Sequence, residues 1–237
     1  MKIYYHNTKS LKILLLLIFL IFIIFNACSP SYVPNVINTP LLSNKGELQL
    51  GIHTGLSGTD PQFAYAVTDN IGLMLNGSFA NRTYDTVSNF HKHNFGELGV
   101  GYFTKFADNG IFEVFTGLGF GDLNAHFKSG IFNSSAQINT RRLFLQPAIG
   151  AKTNIFDGSF APRLVILNLT QGTDNVTAVL LEPAITAKVG YKYVKAVFQF
   201  GLSLPLSSTG DFYYQPFLFS IGLQGFIGLL TRNDSKY

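Results

Sequence analysis

Six ionisable residues occupy alternate positions in the strand pattern described below, and they are the first candidates for chemistry. Three are acids and three are bases, so they could pair with one another in a narrow interior or line a channel that selects ions by charge. We interpret them as an ion-pair network that fills the interior, and a selectivity lining is the functional alternative. They are Glu97, Glu113, Glu182, Arg142, Lys152 and Lys188.

Two further groupings could in principle carry a reaction. His91 and His93 share one face of an extended chain and could chelate a transition metal, but no cysteine or paired acid stands near them. His126 and Ser129 could belong to a serine–histidine catalytic group, but no organising motif surrounds them. We therefore expect no metal, no cofactor and no enzymatic activity.

The composition indicates a large surface that faces lipid. Hydrophobic residues make up 47% of the 237 positions and charged residues only 13%, whereas soluble domains carry roughly 25% charged residues. Only helices and closed barrels satisfy every backbone group in hydrocarbon. The formal charge of +4 includes Lys2, Lys9 and Lys12, which precede the expected cleavage point. A nearly neutral mature chain argues against nucleic acid as a partner, because phosphate binding needs a clustered basic face.

The amino terminus has the pattern of a signal peptide. An unbroken apolar run of 13 residues, 13–25, follows the three lysines. Such a run is shorter than the about 20 residues of an ordinary transmembrane helix and is typical of a signal-peptide core. A retained membrane anchor is the alternative.

Phe25-Asn26-Ala27-Cys28 resembles a lipobox, and Cys28 is the only cysteine of the chain. The resemblance implies cleavage after residue 27, diacylglycerol on the thiol of Cys28 and a fatty acid on the new amine. Ser29 in place of the aspartate that retains lipoproteins in the inner membrane favours sorting to the outer membrane. The next residues, 28–45, contain three prolines and predict a short tether without helix or central strand.

From Gly46 onward, apolar and small or polar residues alternate with the period of two that indicates β-strands. The pattern predicts an all-β fold of ten antiparallel strands. Glu47 is expected at the solvated rim of the first strand. The strands cover 46–56, 62–68, 71–80, 94–103, 111–121, 140–152, 160–170, 179–189, 194–204 and 213–226.

The predicted connections differ in length. Those after even strands are tight, whereas those after odd strands are mostly longer, notably 81–93, 122–139 and 171–178. An echo also joins two strands, because Leu145-Gln-Pro-Ala-Ile-Gly-Ala-Lys152 returns 36 positions later as Leu181-Glu-Pro-Ala-Ile-Thr-Ala-Lys188. The spacing fits an up-and-down meander, with bulges expected at Pro147, Pro183 and Pro216 because proline lacks a ladder donor.

With large apolar residues on one face and small or polar residues on the other, residues 46–226 resemble the small outer-membrane β-barrels of Gram-negative bacteria. The resemblance implies apolar residues toward lipid, a polar interior and tyrosines near the membrane interfaces. Our main hypothesis is a structural role in the envelope or binding of a surface ligand through the outer loops, and we predict that residues 227–237 form a C-terminal tail. A small passive pore and, third, a lipid-modifying enzyme are the alternatives, and a soluble periplasmic barrel on a lipid tether is the alternative fold.

Replacing Cys28 by serine should abolish lipid attachment and leave the precursor uncleaved, because the thiol is the expected acceptor. Metabolic labelling with a radioactive fatty acid measures this directly. Equal label in the variant and the parent protein would contradict the lipobox interpretation.

Overall fold

A computed structural model of the protein describes residues 30–83, 89–129, 132–207 and 214–227, without the side chains of 127–129 and 132–134. The predicted signal peptide, Cys28 and nearly all of the predicted tail lie outside the described residues. No helix of the described chain has the length and apolar character needed to cross a membrane.

The structure confirms an all-β, up-and-down antiparallel barrel of ten strands. Each strand pairs with the next along the chain, and the last pairs with the first, which closes the barrel. The strands are β1 (Leu48–Gly55), β2 (Gly58–Ala66), β3 (Ile71–Thr83), β4 (Phe90–Phe106), β5 (Gly110–Ser129), β6 (Phe132–Lys152), β7 (Phe156–Gln171), β8 (Asp174–Tyr191), β9 (Val194–Leu202), its two-residue continuation β10 (Leu204–Pro205), and β11 (Phe217–Ile227).

β9 and β10 form a single barrel strand interrupted at Ser203. Ala184 pairs with Gly201 and Leu181 pairs with Leu204, so the register on β8 is the same on both sides of the interruption. The register is likewise unchanged on either side of Pro147 and Pro183, and Pro216 precedes β11. The expected bulges are therefore absent at these prolines. The hydrogen-bond ladder is interrupted beside them, so the missing N–H donors are accommodated without an inserted residue.

The period-two pattern places large apolar side chains outward on every wall. Leu98, Leu118 and Leu143 are direct neighbours on β4, β5 and β6, and each is 45% exposed or more. Tyr102 and Tyr191 lie outward near the strand ends that meet the tight turns. Tyr214 differs, because it packs against a buried cluster on the opposite side of the barrel wall.

Two predicted long loops are mostly strand. β5 continues past its predicted end at 121 to Ser129, and β6 and β8 begin at Phe132 and Asp174 instead of 140 and 179, so the connections are residues 130–131 and 172–173. The outward side chains of these extensions are polar, with Asp122, Asn124 and Asn139 among them. The strand ends were mispredicted there because the strands continue beyond the apolar band, where their outward residues are polar. In the sequence, such residues resemble those of a loop.

Candidate functional site

Residues 30–45, which we call the plug, run through the interior of the barrel without regular secondary structure. Val36, Ile37, Leu41 and Leu42 are all at most 1% exposed. The prediction of a short tether that leads to the folded domain is therefore corrected for these residues, which belong to the folded unit itself. The prolines do exclude helix and ladder here, as predicted, but they leave an extended segment that other groups must satisfy.

Inward side chains of the barrel donate hydrogen bonds to successive backbone carbonyls of the plug. An unpaired buried carbonyl is costly, so an extended segment without a strand partner needs side-chain donors. Seven consecutive carbonyl oxygens, those of residues 35 to 41, each accept a hydrogen bond from a barrel side chain. In order, the donors are Arg163 at 3.4 Å, Gln62 at 2.9 Å, Gln199, Gln146, Lys188 and Gln49 at 2.7 Å, and Lys152 at 3.0 Å.

Gln199 binds the plug in both directions. Its Nε2 donates to the carbonyl of Ile37, while its Oε1 accepts from the amide of Ile37 at 2.7 Å. A glutamine side chain carries both a donor and an acceptor, so one residue supplies what a neighbouring strand would supply.

The apolar side chains of the plug fit against small residues of the wall. Ile37 packs in a buried cluster with Ala148, Ala161 and Ala184, which are adjacent on β6, β7 and β8. A Cβ added at Gly72 would lie 2.5 Å from the Cδ1 of Leu42. The small inward residues predicted from the alternation therefore make room for a second segment of the same chain.

The end of the plug nearest β1 is fixed beside the tight turns. Lys45 donates its amide to Asp69 in the β2–β3 turn at 3.0 Å, and Lys105 donates to the side chain of Asn44 at 2.7 Å. Leu41, with φ of 51°, and Gly46, with φ of 82°, make the bends that bring the chain from the lumen into β1.

Farther along the lumen, two arginines each contact both the plug and a glutamate of the barrel wall. Arg142 pairs with Glu97 and also donates to the Tyr32 hydroxyl at 3.0 Å. Arg163 pairs with Glu182 at 2.7 Å, and its second terminal nitrogen lies 3.6 Å from Glu97. Tyr32 donates its hydroxyl hydrogen to Glu182 at 2.7 Å.

The structure brings together part of the predicted network. Glu97 and Arg142 are paired, whereas Lys152 pairs with Glu47 and Lys188 binds a plug carbonyl. Glu47 is only 1% exposed, so its expected position at a solvated rim is wrong. The plug passes beside it, and Ser43 donates to its carboxylate.

Glu113 is the exception among the predicted members. Its carboxylate is fully buried and faces the backbone amides of Leu41 and Leu42 in the plug, but it makes no ion pair with the described residues. Its neighbours across the ladder are Phe103 and Ala148, which offer none. The expected partners fail because Lys152 and Lys188 direct their amino groups to the plug.

Sequence reasoning missed Arg163, the four glutamine donors and the buried pair of Lys195 with Asp157 at 2.6 Å. Arg163 follows Pro162 in a strand that is apolar on both faces, so the alternation gave no inward assignment. The usable signal was the echo. Its first polar positions, Gln146 and Glu182, contact Asn38 and Tyr32, and its lysines bind the plug carbonyls.

The two other predicted groups are centred on the pair His91 and His93 and on His126. His91 and His93 are both buried, with His91 Nε2 3.0 Å from His93 Nδ1 and Ser78 Oγ 3.1 Å from His93 Nε2. Within the described residues, no cluster of three or more metal-binding side chains occurs. His126 lies 2.7 Å from the hydroxyl of Ser135, and the side chain of Ser129 lies outside the described part.

No model of a known protein family matches the chain, and no curated protein matches its sequence.

Replacing Arg142 by alanine should destabilise the folded barrel by about 3–5 kcal/mol, because it leaves buried acids and plug groups without their donor. Arg141→Ala is the matched control, since Arg141 is the adjacent residue on β6 and faces outward. Samples are heated to increasing temperatures before electrophoresis on a detergent gel. The temperature at which the faster band of the folded barrel is replaced by the slower band of the unfolded chain measures the effect. Equal temperatures for both variants would contradict a stabilising role for the network.

Proposed function

We propose that this chain is an outer-membrane β-barrel lipoprotein with a structural or surface-interaction role and no catalytic activity. The single observation that carries the proposal is the closed band of outward apolar side chains. Ile52, Leu75 and Leu223 are among its members, each more than half exposed. Water would oppose so large a continuous apolar surface, whereas the hydrocarbon of a bilayer accommodates it.

The dimensions of the band support a membrane location. On β6 the outward apolar stretch runs from Leu143 to Ala151 and is followed, toward the hairpin with β5, by Arg141 and Asn139. Nine residues match the about 9–11 residues of a tilted membrane-spanning strand. Exposed aromatic residues near the tight turns, Tyr65, Tyr102, Tyr191 and Tyr193, are suited to one membrane interface.

The polar extensions of β5 to β8 support one orientation. Outer-membrane barrels keep short turns on the periplasmic side and longer elements outside. In this orientation the hairpins that end at 130–131 and 172–173 extend beyond the outer interface. Their exposed polar faces are the surface that we assign to a ligand or partner at the cell surface.

The filled lumen favours a structural role over a passive pore. A barrel of ten strands encloses little more space than a barrel of eight, and the interior of an eight-stranded barrel is nearly filled by its own side chains. Here the plug occupies that space, and its backbone binds the inward polar groups. The same groups are therefore unavailable as a hydrated lining, and the lipid on Cys28 is the remaining membrane attachment that we propose.

Replacing Leu118 by arginine, in the middle of the band, should cost about 2–4 kcal/mol in a lipid bilayer, because the charge would face hydrocarbon. The matched control is Asn124→Arg on the same strand and face, beyond the band. Urea unfolding in phospholipid vesicles measures both. Equal stability of the two variants would contradict a membrane-spanning band.

A further inference from the structure

The direction in which the plug runs through the barrel can be read from its successive hydrogen-bond partners on β6. Leu41 binds Lys152 at the turn end of β6, Asn38 binds Gln146, and Asn35 binds Arg142 farther along. As the plug is followed toward its amino end, its partners move steadily toward the hairpin that joins β5 and β6. The amino-terminal end of the plug therefore points away from the tight turns.

The plug ends at the rim that carries the long hairpins. Tyr32 forms a parallel bridge with Tyr214, and its carbonyl accepts the amide of Gln215 at 2.9 Å. These two residues lead into β11 on the side of the long hairpins. The neighbouring Ser31 shares a small cavity with His93 and Asp122, at the level where outward residues have become polar.

Chain length then limits where the amino terminus can be. Cys28 precedes Tyr32 by four residues, which span at most about 14 Å when fully extended. The hydrocarbon core is about 30 Å thick. A lipid on Cys28 can thus reach the membrane interface beside the long hairpins but cannot reach the one beside the tight turns.

We propose that the mature chain is threaded through its own barrel, so that the acylated Cys28 is held at the cell-surface leaflet. This rests on the proposed outer-membrane location, orientation and lipidation. A lipoprotein tethered by a periplasmic spacer would have its acyl chains in the opposite leaflet. The barrel and its lipid would therefore anchor the chain from the same outer face, with the plug as the connection between them.

Protease accessibility in intact cells tests this directly. A recognition sequence for a site-specific protease is inserted after Ser29 in the full-length chain, upstream of the plug. Two controls carry the same insertion in exposed connections, between Gly172 and Thr173 in the β7–β8 hairpin and between Asn154 and Ile155 in a tight turn. Heat modification on gels verifies that each variant is folded, and fatty-acid label reports lipidation.

We expect the sites after Ser29 and after Gly172 to be cut in intact cells, with loss of fatty-acid label from the barrel fragment of the first. The site after Asn154 should be cut only after lysis. Protection of the Ser29 site in cells where the Gly172 site is cut would overturn the proposal. Cleavage at Asn154 with protection at Gly172 would overturn both the orientation and the surface location of the lipid.

Failure of the proposed function has a different appearance. Absence of label with normal cleavage after Ser29 and Gly172 would remove the lipid while supporting the threaded path. Recovery of folded barrel outside the outer-membrane fraction would contradict the proposed location and, with it, the surface position of Cys28.

Discussion

An extended peptide inside a narrow barrel must find hydrogen-bond partners for its backbone, and the rest of this structure depends on that constraint. Water and a neighbouring strand are both replaced here by inward side chains, which serve seven consecutive carbonyls of the plug. The donors come from β1, β2, β6, β7, β8 and β9. The plug thus links most of the wall, and the wall in turn fixes an otherwise irregular, proline-containing segment.

The same constraint explains the composition of the inner face. Long polar residues reach the plug backbone, while alanines and glycines leave space for its apolar side chains, as Gly72 does for Leu42. The echo between β6 and β8 is therefore more than a repeated strand pattern. Its proline faces outward, its alanine contacts Ile37 and its lysine binds a plug carbonyl, so one short pattern serves both surfaces of the wall.

The sequence allowed prediction of the strand number and of the outward face, because a buried or lipid-facing strand imposes a period of two that is visible locally. It did not allow prediction of the plug, because residues 30–45 have no period and their partners lie up to 183 positions away, as Gln215 does from Tyr32. Glu47 and Glu113 were misassigned for that reason, since the plug changes the surroundings of both. The extensions of β5, β6 and β8 were missed because their outward residues, such as Asn124 and Asn139, are polar.

Single-channel recording of the purified full-length protein in planar bilayers tests most directly whether the plug closes the lumen. A lumen filled by residues 30–45 and bonded to them along its length should give no stable open level at moderate voltage. The membrane should remain as insulating as one without protein, although the folded barrel is inserted. Large, stable and ion-selective conductance from the unmodified chain would contradict the account, because it would require a continuous path of water where the structure places the plug.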